Sequence, residues 1–169
     1  MLMLLALLVQ GPSGPPPARP WALTSETVRA ITVPPSARDI VLAELEYDAT
    51  DSVQGTVVDL NRDGSTDYIV RSAGSLCGTG GCVYLVVDGA RGQVIGQLFG
   101  EPLYVQAEES HGYPLITSYA HMNAASGNYT TWTFDGREFK RAGSRAVAGA
   151  SLDSLFAILA LIPAWKPPQ

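Results

Sequence analysis

The sequence has few of the side chains on which most enzymes and nucleic-acid-binding proteins depend. Its 169 residues include two cysteines, two histidines and only 16% charged residues. Lysine and arginine number 11 against 16 acidic residues, which gives a net charge of -5, and no basic run occurs. Because nucleic-acid binding requires a basic surface, we expect no nucleic-acid partner. An acidic surface suits a cation or a basic protein partner.

Recognisable catalytic motifs are also missing. The chain has no nucleophile elbow, no zinc-protease motif and no phosphate-binding loop. We therefore predict that the protein is not an enzyme. A pair of carboxylates acting as a hydrolase stays open as an alternative, because acidic residues are present but none is marked by its context.

Long apolar runs are absent too. The longest apolar stretch at the start of the chain, Met1 to Val9, is shorter than the roughly 20 residues that cross a bilayer. It fits the apolar part of a secretory signal, and the segment after it is rich in proline, glycine and serine. We predict a signal peptide and Pro-rich linker over residues 1–20 and a single domain over residues 21–169. The protein should then be periplasmic or secreted, and not an integral membrane protein. The alternative is a buried N-terminal helix, which the prolines could not continue.

The most informative motif present has the form D-x-N-x-D-G-x-x-D and runs from Asp59 to Asp67. Short oxygen-bearing side chains at alternate positions can point at one centre, and Ca²⁺ takes about six to eight oxygen ligands. Gly64 stands where such a loop turns sharply. The predicted calcium ligands are the four side chains and one backbone carbonyl of Asp59, Asn61, Asp63, Ser65 and Asp67.

The flanks of this motif separate it from an EF-hand. Val70 occupies the position where an EF-hand has a bidentate glutamate, and the segments on both sides predict strands rather than helices. The motif resembles the strand-loop-strand calcium loop of FG-GAP and VCBS-type repeats, which also ends on an aspartate at position 9. The alternative is a plain hairpin in which Asp63-Gly64 only makes the turn.

The two cysteines, Cys77 and Cys82, bracket four small residues of which three are glycine. Cysteine pairs in exported proteins are normally disulfides, and a glycine-rich segment can fold back far enough to join them. A zinc site would have to recruit His111 and His121, whose spacing is not that of common zinc fingers. We therefore predict a disulfide bond.

The remaining pattern predicts an α+β fold. Helices are predicted over Leu23 to Ile31, over Ser36 to about Glu46, and over Ser151 to Ile162 with Ser151 as the capping residue. Between them, β-branched and aromatic runs predict strands over residues 53–59, 67–71, 83–87, 93–99, 103–106, 113–122, 129–134 and 138–141. The expected architecture is an antiparallel meander of six to eight strands, with an N-terminal helical segment and a C-terminal helix packed on one face.

Two further resemblances bear on function. Residues 53–142 combine the loop with a C-G-x-G-G-C segment and Gly112-Tyr113-Pro114, and so resemble a class of small, uncharacterised bacterial exported proteins. Ser126-Gly127-Asn128-Tyr129 is similar to the S-G-x-Y loop of periplasmic lysozyme inhibitors, which insert this loop into the lysozyme cleft. The resemblance implies a partner loop formed by Ser126, Gly127 and Tyr129. The alternative is an ordinary hairpin loop.

These features together predict a non-enzymatic, exported, calcium-stabilised binding protein with a protein partner in the cell envelope or outside the cell. The alternative function is an inhibitor or immunity protein against a cell-wall hydrolase. A hydrolase of unknown class is the third.

Overall fold

The computed structural model describes residues 20–50 and 52–166, which form one ten-stranded sheet and two helices. The predicted signal peptide and most of the linker lie outside these residues. The strands are β1 (Trp21–Leu23), β2 (Arg29–Ile31), β3 (Val53–Val58), β4 (Asp67–Arg71), β5 (Cys82–Asp88), β6 (Gln93–Gly100), β7 (Leu103–Ser110), β8 (Tyr113–Asn123), β9 (Ser126–Phe134) and β10 (Phe139–Ala148). The helices are α1 (Pro35–Glu44) and α2 (Ala150–Leu159). Among the described residues, neither helix is long and apolar enough to cross a membrane.

The sheet is mixed rather than a simple meander. Its strand order is β1-β7-β8-β9-β10-β6-β5-β4-β3-β2. Every neighbouring pair is antiparallel except β6 and β10, which run parallel and meet at Gly96 and Phe139. The eight predicted strands are all present, but the prediction of an antiparallel meander is wrong because β10 returns to β6 instead of ending the sheet. Strands β1 and β2 raise the number beyond the predicted six to eight.

The predicted helix over Leu23 to Ile31 is wrong. Trp21–Leu23 pairs with β7, and Arg29–Ile31 pairs with β3, so each end of this segment forms a short edge strand. Between them Thr27 donates its backbone N–H to the carbonyl oxygen of Thr24, which makes a turn. The Thr27 hydroxyl also donates to the carbonyl oxygen of Thr24 at 3.0 Å, which holds the turn, and pairing with the sheet outweighs weak helix propensity.

The other two helices are present, but neither begins with the predicted serine cap. Ser36 lies inside α1 and donates its hydroxyl to the carbonyl oxygen of Gly92, 2.9 Å away. Helix α2 begins after Gly149, whose carbonyl accepts the N–H groups of Leu152 and Asp153, and no side chain caps it. The capping position of α2 is thus Gly149, two residues before the predicted Ser151.

The sheet curls, so its two faces bury different clusters. The inner face carries the largest core cluster, which includes Ile69, Leu98, Ile116, Phe134 and Phe139. The outer face is covered by α1, packed over β3 to β5, and by α2, packed over β1, β7, β8 and β10. The curl brings β6 near β8 although they are not paired: the Ser118 hydroxyl donates to the carbonyl oxygen of Phe99 at 2.7 Å.

Candidate functional site

The motif from Asp59 to Asp67 forms the connection of the β3–β4 hairpin. Asp59 directly follows β3, and Asp67 opens β4 opposite Val58. The loop turns through two residues of positive φ, Arg62 at 58° and Gly64 at 85°. Glycine adopts a positive φ without the steric cost that a Cβ brings, so glycine is well suited to position 64.

Asp59 organises the first half of the loop. Its carboxylate is 5% exposed and accepts two backbone N–H groups, from Asp63 on Oδ1 at 3.1 Å and from Gly64 on Oδ2 at 3.0 Å. These bonds wrap the chain around a carboxylate that has no Lys or Arg partner within the described part of the chain. Each carboxylate oxygen retains a further lone pair, so acceptance of these bonds leaves room for a cation.

Asp67 organises the second half and is completely buried. Its Oδ2 accepts the N–H of Leu60 at 2.9 Å, and its Oδ1 accepts the N–H of Gly89 at 3.1 Å. The pKa of Asp67 is raised to about 6, mainly by burial and also by the negative charges of Asp88 and Asp63, against the lowering effect of the two N–H groups. The loop thus holds a desolvated carboxylate among like charges, an arrangement that a cation would relieve.

Asn61, Asp63 and Ser65 lie at the outer side of the loop. The Asn61 amide donates to Oδ2 of Asp63 at 2.9 Å, and Asp63 Oδ1 accepts the N–H of Ser65 at 2.7 Å. The Ser65 N–H holds the pKa of Asp63 below its ordinary value. Asp63 is exposed, and its carboxylate is ionised at neutral pH, as a carboxylate ligand of a metal ion must be.

Two residues that the sequence analysis did not assign to the loop lie against it. The Tyr113 hydroxyl receives a hydrogen bond from the Asn61 amide at 3.1 Å and donates one to Oδ2 of Asp88 at 2.9 Å. Asp88 is 3% exposed and is paired with Arg91 Nε at 2.7 Å. The only sequence signal was that Asp88-Gly89 is a second Asp-Gly pair at the end of a buried strand.

The five predicted ligands come from one compact loop, and their donor atoms are the carboxylate, amide and carbonyl oxygens that Ca²⁺ prefers. Among residues 20–50 and 52–166, no three His, Cys, Asp or Glu side chains form a ready metal-binding group. The loop carboxylates instead accept the loop's own N–H groups. Binding of an ion at Asp59, Asn61, Asp63, Ser65 and Asp67 stays a prediction.

The predicted disulfide between Cys77 and Cys82 is confirmed. Gly78 and Gly81 exchange backbone hydrogen bonds at 2.9 and 3.0 Å, which close the small ring between the cysteines. Gly80 lies beside the Phe99 ring, since an added Cβ would meet Phe99 Cζ at 3.5 Å. Both cysteines are bonded, so neither is available to a zinc ion or as a nucleophile.

Ser126, Gly127 and Tyr129 do not lie in a loop. They belong to the start of β9, and the turn before them consists of Ala124 and Ala125. Gly127 is buried against Tyr119. The Tyr129 hydroxyl donates to Thr117 Oγ1 at 2.8 Å, and the Arg145 guanidinium lies 5.3 Å from the centre of its half-buried ring.

Comparisons with protein-family models, with curated proteins and with solved structures found no match to this chain.

Proposed function

We propose that the protein is an exported, non-enzymatic binding protein whose Asp59–Asp67 loop is stabilised by Ca²⁺. The observation that supports the ion is the burial of Asp59 and Asp67, neither of which has a basic partner within the described residues. Burying a carboxylate without a counter-charge is costly, and a bound cation would offset that cost. The export and the protein partner rest on the sequence features described above.

The residues themselves would do three things at such a site. Asp59, Asp63 and Asp67 would supply negative charge, Asn61 and the Ser65 carbonyl would supply neutral oxygen, and Gly64 would allow the turn. Calcium would supply the positive charge that this set lacks. With no position-12 glutamate, we expect a dissociation constant of roughly 10⁻⁴ to 10⁻³ M, typical of extracellular modules.

Thermal unfolding with calcium and with chelator tests this proposal. Calcium at about 100 times its dissociation constant should add about 2.7 kcal/mol to the free energy of unfolding. Asp63→Asn should remove most of that increment. Asp135→Asn is the matched control, because Asp135 also sits before a glycine and accepts two backbone N–H groups, yet belongs to the β9–β10 turn. Equal melting temperatures in calcium and in chelator would refute calcium binding.

The inhibitor of a cell-wall hydrolase remains the alternative proposal, and an inhibition assay against lysozymes of each major type tests it. The position of Ser126 and Gly127 within β9 adds no support to it. The hydrolase alternative likewise gains no specific observation.

A further inference from the structure

A small cavity opens on the inner face of the curled sheet, where β6 approaches β8. Its volume is about 190 Å³. The lining residues come from β6, β8, β9 and β10, and are Phe99, Ala120, Asn128, Thr130, Trp132, Arg141 and Ser144. The mouth of a curled or closed sheet is a common place for a ligand site, because side chains from several strands converge there.

One wall of the cavity is a fixed aromatic surface. The indole N–H of Trp132 donates to the Ser118 hydroxyl at 3.0 Å, and that hydroxyl donates to the carbonyl oxygen of Phe99. The only polar atom of the Trp132 side chain is therefore hydrogen-bonded within the protein, and its apolar ring lines the cavity. Phe99, 44% exposed, forms the opposite side and is backed by Gly80 of the disulfide ring.

The other wall carries polar groups that are not used elsewhere. Within the described residues, the Asn128 amide and the Arg141 guanidinium have no hydrogen-bond or ion-pair partner, although both line the cavity. Thr130 and Ser144 share a hydroxyl–hydroxyl bond of 3.0 Å beside them. Arg141 is directly opposite Trp132 in the β9–β10 register, so the guanidinium and the indole belong to one cross-strand pair.

The chemistry of these walls defines a ligand class. A guanidinium binds a carboxylate through two parallel hydrogen bonds. An amide and two hydroxyls suit the hydroxyls of a ligand, and the aromatic rings suit its C–H surface. The cavity volume limits the ligand to about one ring. The Arg141 guanidinium puts a positive charge on the polar wall of the cavity, although the chain as a whole has a net charge of -5. This local positive charge favours an anionic ligand.

We propose that this cavity binds a small hydroxylated carboxylate, of the sugar-acid class, with Arg141 holding the carboxylate and Trp132 contacting the ring. The site shares no residue with the Asp59–Asp67 loop, so it stands whether or not that loop binds calcium.

Isothermal titration and the NMR shift of the Trp132 indole N–H test the proposal with four probes: D-glucuronate, D-glucose, acetate and inorganic phosphate. Glucuronate should bind saturably and shift the Trp132 signal. Glucose lacks the carboxylate and acetate lacks the ring, so each should bind at least about tenfold more weakly than glucuronate. Phosphate bound as tightly as glucuronate would show a general anion site and overturn the assignment.

Two variants locate the binding. Arg141→Gln should weaken glucuronate binding about tenfold or more, and it should fold normally because Arg141 is exposed. Arg137→Gln is the matched control, since Arg137 is an exposed arginine in the β9–β10 turn and does not line the cavity. The titrations are run in calcium and in chelator, which separates this result from the behaviour of the loop. Unchanged binding by Arg141→Gln, or no saturable binding of glucuronate at millimolar concentration, would overturn the proposal.

Discussion

Gly89 donates its backbone N–H to Oδ1 of Asp67 across 22 positions of the chain, at 3.1 Å. This bond joins the last residue of the D-x-N-x-D-G-x-x-D motif to the turn between β5 and β6. The turns at Asp63-Gly64 and Asp88-Gly89 are therefore one structural unit.

Substitution of Gly89 should disrupt that unit. A Cβ at Gly89 would collide with the carbonyl group of Thr66, which is backbone and cannot rotate away. Gly89→Ala should destabilise the fold by about 1–3 kcal/mol, the range for forced overpacking. Gly143→Ala is the control, because nothing lies within 4 Å of its added Cβ, and it should change stability by no more than about 0.5 kcal/mol. Chemical denaturation measures both, and equal effects would contradict the collision.

Stability without calcium should depend on pH through Asp67. Its pKa is raised to about 6 in the folded state from an ordinary value of 3.8. A raised pKa means that the folded state binds the proton more tightly than the unfolded state does. The stability contributed by protonation of Asp67 is therefore fully present below pH 3.8 and is lost as the pH rises through about 6. In chelator, the free energy of unfolding should fall by about 1.4 kcal/mol between pH 5 and pH 7.5.

The control for this pH dependence is Asp67→Asn, which does not titrate and should flatten the slope in chelator. Denaturation curves at several pH values measure it. A wild-type protein that becomes more stable between pH 5 and pH 7.5 in chelator would show that Asp67 does not dominate this range.

Reduction of the disulfide should loosen the chain locally. The bond closes a ring of sequence separation 5, for which chain entropy gives about 2 kcal/mol. Reduced protein should therefore melt at a lower temperature while keeping its far-UV circular dichroism. Thiol titration in denaturant checks that the bond was present before reduction. A full loss of structure on reduction would mean that the ring does more than restrain this corner.

Removal of the Tyr129 hydroxyl tests the role of this residue within the fold. Tyr129→Phe removes the bond to Thr117 Oγ1 and should cost about 1 kcal/mol. Tyr68→Phe is the matched control, since its half-buried hydroxyl has no hydrogen-bond partner within the described residues. A lysozyme-inhibition assay on a separate Tyr129→Ala variant tests the alternative function, because an inhibitor that uses the Tyr129 side chain would lose activity when it is truncated.

Helix α2 offers a matched pair of leucines. Leu155 is 5% exposed and packs in the cluster over β1, β7, β8 and β10, whereas Leu161, just beyond the helix, is 82% exposed. Leu155→Ala should cost about 2–5 kcal/mol, and Leu161→Ala about 0.5 kcal/mol or less. Urea denaturation of the two variants measures the difference. Similar losses for both would mean that α2 does not dock as described.

The sequence predicted the elements that depend on local pattern. Strands β3 to β10 were predicted because β-branched and aromatic runs alternate with turn residues, such as Asp135-Gly136 between β9 and β10. Strands β1 and β2 have three residues each, too few to show any periodicity, and form only because β7 and β3 offer open edges. The pairing of β6 with β10 and the contact of Tyr113 with Asp88 join residues distant in sequence, so no local pattern could reveal them.

The candidate loop was predictable in its spacing and its turn, but not in its surroundings. The alternation of Asp59, Asn61 and Asp63 is visible in the sequence. The burial of Asp67 and its bond to Gly89 depend on the position of the β5–β6 turn in the folded sheet, which is 22 positions away in sequence. Similarly, S-G-x-Y is a common turn composition, yet here Gly127 is required within a strand because the Tyr119 ring leaves no room for a side chain.

The single parallel contact between β6 and β10 divides the sheet into two antiparallel halves, β2 to β6 and β1 with β7 to β10. Gly96 and Phe139, which form that contact, are 43 residues apart (139 minus 96). The hairpins within each half join residues much closer in sequence, whereas β1 pairs with β7 across 84 positions, from Trp21 to Val105 (105 minus 21). Contacts between residues distant in sequence carry a larger entropic cost of loop closure. The inner core takes Leu98 from one half and Phe134 from the other, so it is completed only when the halves meet. The seam between β6 and β10 and the pairing of β1 with β7 are therefore contacts whose formation is opposed by a large entropic cost of loop closure.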